Sequence, residues 1–115
     1  MPNYLFQWTY KDPQLKAMVE TTQDRPAELN KAVRGFGGRM LQFFFAFGEA
    51  DGIALVEFPD NETCLACSIT LNAAGSNASF RTTVLLTPQE AASAMRRARM
   101  VATGYTPPIG YTSHG

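Results

Sequence analysis

One histidine and two cysteines are all the imidazole and thiol groups that this chain holds for metal ligation or nucleophilic chemistry. The histidine, His114, lies in a glycine-bearing tail, and a catalytic base has to be held in place. Cys64 and Cys67 stand three apart, which excludes a disulfide framework. A four-ligand zinc site would need donors that the sequence does not supply. Neither a metal nor a cofactor is expected. Charge of one sign is also missing: ten basic residues balance ten acidic ones. That balance leaves no electrostatic footprint for nucleic acid or a membrane surface. No run approaches the roughly 18 apolar residues of a spanning helix. A charged segment followed by an apolar one does not open the chain, so the expectation is a cytoplasmic protein. The sequons Asn61-Glu62-Thr63 and Asn77-Ala78-Ser79 carry no weight without secretion.

What is present is apolar and aromatic: 45% and 11% of 115 residues, enough for one domain with a real core. Tyr4, Phe6, Trp8 and Tyr10 alternate with Leu5, Gln7 and Thr9, the period of a strand over residues 4–10. Asp12-Pro13 opens a short helix with Leu15, Met18, Val19 and Thr22 on one face. Asp24 caps a second helix, Pro26 fits its first turn, and Leu29, Val33 and Phe36 form its stripe. Gly35, Gly37 and Gly38 end it. Residues 39–47 read as a strand with Leu41, Phe43, Phe45 and Phe47 on one side and Met40, Gln42, Phe44 and Ala46 on the other. Gly48-Glu49-Ala50-Asp51 is a tight turn. Residues 52–58 return, with Ala54, Val56 and Phe58 opposed to Ile53, Leu55 and Glu57. A helix follows from Pro59-Asp60 to about Ala74, stopped by Gly75. Residues 78–86 make a fourth strand. Thr87-Pro88-Gln89-Glu90 then spells a capping box for a last helix ending near Met100.

The order β-α-β-β-α-β predicts an α+β, ferredoxin-like antiparallel sheet over residues 1–100, with an extra C-terminal helix and an extended tail at 101–115. Its helices cover only one face. Met40, Phe44, Ile53 and Leu55 would then lie in water, which is costly at roughly 25 cal/mol per Å² of apolar surface. A second copy, sheet against sheet, is the simplest cover.

The turn Gly48-Glu49-Ala50-Asp51 resembles the Gly-x-Tyr-Asp turn that gives the GYD domain family its name. Met1-Pro2-x-Tyr4, Gly37-Gly38-Arg39, Glu57-x-Pro59-Asp60 and Thr87-Pro88-x-Glu90 match in order and spacing, over about residues 1–99. Ala50 stands where the family has tyrosine. The resemblance implies a dimeric α+β barrel and leaves the activity open.

Candidate sites follow from this frame. With the hairpin turning at Glu49-Ala50, Gln42 falls opposite Glu57 and Phe44 opposite Leu55. Gln7, Thr9, Arg81 and Thr83 join them if the outer strands keep the same parity. Gln7, Gln42, Phe44, Glu57, Arg81 and Thr83 are therefore the candidate ligand set, polar groups converging on an apolar surface that suits a small apolar ligand. The competing reading is register-setting pairs across a dimer, Arg81 with Glu57. Cys64 and Cys67, a turn inside a helix, read as small core residues rather than a redox pair. Pro2 reads as a strand leader rather than a catalytic amine. Arg96, Arg97 and Arg99 suit the negative end of the last helix. In the tail, Val101, Tyr105, Ile109 and Tyr111 are too apolar for a solvated linker, and Pro107-Pro108 stiffens the chain, so docking on a neighbouring subunit is expected. Two functions remain open: a small-molecule-binding or cofactor-independent enzyme of the barrel type, or an assembly subunit without chemistry.

Overall fold

Strand β1 (Asn3–Tyr10) runs through the middle of the molecule because every second residue is a large aromatic: Tyr4, Phe6, Trp8 and Tyr10 are all buried. The computed structural model describes residues 1–110, and eight elements follow one another within it. Helices α1 (Asp12–Glu20) and α2 (Arg25–Gly35) lead to the hairpin of β2 (Arg39–Phe45) and β3 (Gly52–Glu57). Helix α3 (Asn61–Ala73), strand β4 (Asn77–Leu85) and helix α4 (Pro88–Met100) complete the set. The sheet order is β2-β3-β1-β4, antiparallel throughout, which is the ferredoxin-like α+β arrangement.

The helix boundaries have local causes. Asp24 accepts a hydrogen bond from the Ala27 N–H (3.1 Å) and starts α2; Gly37, at φ 75°, ends it. Asp60 accepts from the Thr63 N–H and Oγ1 (2.8 and 2.7 Å), which starts α3 and holds the Asp60 carboxyl below its ordinary pKa. Both arms of the capping box between Thr87 and Glu90 form, at 3.1 and 3.0 Å. α1 uses less of its stripe than its pattern suggests: only Met18 packs on the core, while Leu15 and Val19 are exposed.

One core lies between the sheet and the pair α2 and α3. Leu29 and Val33 of α2, and Cys64, Cys67 and Ser68 of α3, meet Phe6, Ala54, Val56 and Phe58. Phe6 and Phe58 are fully buried; each such side chain contributes about 1.5–3 kcal/mol. Ser68 Oγ and Thr82 Oγ1 share a hydrogen bond (2.9 Å) that ties α3 to β4. Gly52 is held by close approach: a Cβ there would overlap the indole of Trp8. The Pro2 carbonyl accepts from the Phe58 N–H (3.3 Å), consistent with a strand-leading role.

Helix α4 and residues 101–110 depart from this body. No residue of α4 is buried, and no element makes an extensive contact with it. The chain measures 57 × 34 × 22 Å, with a radius of gyration of 18.7 Å, against about 13 Å for a compact chain of this length. Residues 101–110 contain no helix or strand, only a turn at Ile109–Gly110. Among the described residues no helix is long and apolar enough to cross a membrane.

The β2–β3 register differs from the sequence expectation. Gln42 faces Leu55 and Phe44 faces Ile53, two residues away from the expected partners Glu57 and Leu55. A bulge lies between Met40 and Gln42, so that Met40 faces Val56 and packs on the core instead of lying exposed.

Candidate functional site

The face of the sheet turned away from α2 and α3 is built from the odd residues of β1 and their cross-strand partners. Three rows cross it from β2 to β4. Phe44, Ile53, Gln7 and Arg81 make one; Gln42, Leu55, Leu5 and Thr83 make the next; Arg39, Glu57, Asn3 and Leu85 make the third. All six candidate ligand residues therefore share this face. They do not converge on one point: each row spans three inter-strand gaps, about 14 Å, and successive rows are about 7 Å apart.

Gln7 and Arg81 are direct cross-strand partners. Together with Thr9, Ser79 and Glu49 they line a shallow depression of about 80 Å³ at the hairpin end of the sheet. Thr9 Oγ1 and Ser79 Oγ share a 2.7 Å hydrogen bond there. Arg81 makes no salt bridge among the described residues. Phe44 stands in the same row, on the far side of Ile53, and is 56% exposed. Gln42 and Thr83 sit at opposite edges of the second row. Glu57 is already engaged, since its carboxylate pairs with Arg39 of the same chain at 2.9 Å. Glu49 and Ser79 join the site although the sequence pattern did not place them in the ligand set. Glu49 comes from the turn, whose position depends on a register that period-2 alternation leaves open.

The family-motif turn has a structural part to play. The Asp51 N–H donates to the Trp8 carbonyl (2.9 Å), and the Asp51 carboxylate accepts from the Tyr10 N–H (2.8 Å). Asp51 thereby pins the hairpin to the end of β1. Gly48 is exposed, and Ala50 is half-buried beside the depression.

Cys64 and Cys67 belong to the core, not to the open face. Burial pushes both thiols up to about 11; the Ser68 hydroxyl partly offsets this for Cys64, and the charge of Cys64 adds to it for Cys67. A buried, high-pKa thiol is a poor nucleophile. Arg96, Arg97 and Arg99 are exposed on α4, as are Tyr105 and Ile109 beyond it. Tyr111 and His114 lie outside the described residues.

Solved structures share this fold at low identity. MtbAldR superposes with a TM-score of 0.55 at 13% identity over 75% of this chain, which spans about half (53%) of that protein. TTHA0845 from Thermus thermophilus gives 0.53 at 14% identity, over 76% of this chain and 95% of the other. FFRP-DM1 gives 0.51 at 16%, over 75% and 100%. No curated protein matches the sequence. The GYD domain model matches residues 4–95, across α1, α2, α3 and all four strands and into α4. The chain belongs to the GYD domain family.

Proposed function

We propose that two copies of this chain pair through the open sheet face and enclose a small molecule between them. The observation that carries this reading is the centre of that face. Leu5, Ile53 and Leu55 lie side by side with Phe44 on a surface that neither α2 nor α3 covers. An uncovered apolar patch on a sheet is a place for a partner. The polar groups Gln7, Gln42, Arg81 and Thr83 stand around it, in the pattern of a mostly apolar site with a few orienting groups. Facing copies would bring each set against its symmetry mate.

Light scattering on the purified chain at micromolar concentration should give twice the 12.6 kDa of one copy. Leu55→Asp should give monomer or aggregate, and native mass spectrometry should show a small organic adduct on the dimer that this variant lacks. A well-folded monomer of the natural chain overturns the pairing. A dimer that carries no adduct and binds no small molecule overturns the enclosed site.

The projecting arm favours a second reading, an assembly subunit. Met95, Met100, Tyr105 and Ile109 are all more than two-thirds exposed on α4 and the segment after it. Such a segment gains by lying on another copy, with Tyr105 and Ile109 as anchors and Tyr111 as a further one. A chain truncated after Met100 should then show a lower oligomer order or melting temperature. If neither changes, the arm has no such role.

A further inference from the structure

A partly open cavity lies on the other side of the sheet, between β1, β2, β4, α2 and the end of α3. It measures about 190 Å³. Its walls are aromatic and aliphatic: Trp8, Tyr10, Phe43 and Phe80, with Leu29 and Leu71. Trp8 stacks on Phe80 (centroids 6.2 Å apart, planes 14° apart), and Phe43 closes in at 5.4 Å. An apolar cavity of about 150 Å³ takes one benzene ring, and drug-sized molecules need about 300 Å³ or more. The space therefore suits a single ring with one small substituent.

Arg25 supplies the polar end. It belongs to the lining, and its Nε is buried without a hydrogen-bond partner. Buried N–H groups are almost always paired. Its one side-chain hydrogen bond among the described residues is a long one from Nη1 to Gln23 Oε1, at 3.4 Å. No carboxylate pairs with it among the described residues. Arg25 is also the first residue of α2, where the helix dipole disfavours a cation. The neighbouring Asp24 is occupied in capping the Ala27 N–H. An anion in the cavity would pair with the Arg25 guanidinium, which no carboxylate among the described residues neutralises, and would ease the local field at the start of α2. Glu28 sits on the same lining with its carboxylate held by Lys31 at 3.0 Å. A second negative charge on the ligand would be repelled there.

We propose that this cavity binds a small aromatic monocarboxylate, its ring against Trp8 and Phe80 and its carboxylate on Arg25. The site is independent of the open sheet face. Trp8 is the only tryptophan and reports from inside the cavity. Titrating the full chain with benzoate should change its emission saturably in the micromolar to millimolar range, with free N-acetyltryptophanamide as the collisional control. Neutral benzamide and doubly charged terephthalate should each bind at least tenfold more weakly. Arg25→Gln should lose a similar factor. Ala74→Phe, at the exposed end of α3, should fill the cavity and abolish the response while far-UV circular dichroism stays unchanged. Should Arg25→Gln fail to fold, benzamide and Ala74→Phe still decide. No saturable response to millimolar benzoate, equal binding of benzamide, or full binding by folded Ala74→Phe overturns the proposal.

Discussion

The two thiols of α3 give a quantitative test of how the core is closed. A free thiol with its ordinary pKa of 9.0 is about one-tenth thiolate at pH 8, and one held at about 11 is about one-thousandth thiolate. The reactive species thus falls about 100-fold before access is considered. Access lowers it further, since Cys64 is 2% exposed and Cys67 is fully buried. Timed labelling with Ellman's reagent at pH 8 should show both residues reacting more than about 100-fold more slowly in the folded chain than in guanidinium. Denaturant should merge them into one fast phase. Labelling within about tenfold of the unfolded rate, or a reversible disulfide under oxidised glutathione, would refute the burial argument. The reversible disulfide alone would make the pair a redox site.

Three further outcomes follow from the same core. Cys64, Cys67 and Tyr4 all have folded-state pKa values raised, chiefly by burial; the charges of Cys64 and Asp60 add to the effect at Tyr4. Their protonated forms favour the native state, so this contribution is complete below pH 9 and is lost as the pH rises toward 11 and beyond. A melting temperature that stays level from pH 8.5 to 11 would contradict it. Gly52→Ala drives a methyl into the Trp8 indole and should cost about 1–3 kcal/mol in urea unfolding, with a shifted Trp8 emission. Asp51→Ala removes the acceptor of the Tyr10 N–H and should cost about 1–3 kcal/mol, with faster hydrogen exchange at Tyr10; unchanged exchange would show that the turn is held otherwise.

Elements with a local signature were legible in the sequence. The Thr87–Glu90 box, the Asp24 cap and the glycine stops involve residues within one helical turn of each other, and each formed where its spelling put it. The membership of the open face was legible for a different reason. The hairpin register is displaced by two residues, and a displacement of two preserves which side a residue faces. Gln42 and Phe44 therefore share a face with Leu55 and Ile53 despite their changed partners. The displacement itself was not legible, because Asp51 is drawn out of the turn by Trp8 and Tyr10, about forty positions earlier. Met40 was misplaced because one extra residue in a strand inverts the alternation upstream, and alternation carries no mark of it. The Arg25 cavity draws its lining from β1, β2, β4, α2 and the end of α3, and no window of sequence contains that constellation.

The bulge at Leu41 has a bearing on aggregation. β2 is an edge strand, and from Met40 to Gly48 the chain has no charge and no proline, with four phenylalanines among nine residues. Low charge, high strand propensity and an open edge are the marks of a fibril-forming segment. The extra residue kinks that edge and interrupts its row of free amides, so the strand is a poor template for a second chain. Deleting Leu41 would leave Met40 opposite Val56 and Arg39 opposite Glu57, with every side chain on its present face. Such a chain should fold, lose the kink, and seed thioflavin-positive fibrils sooner than its parent.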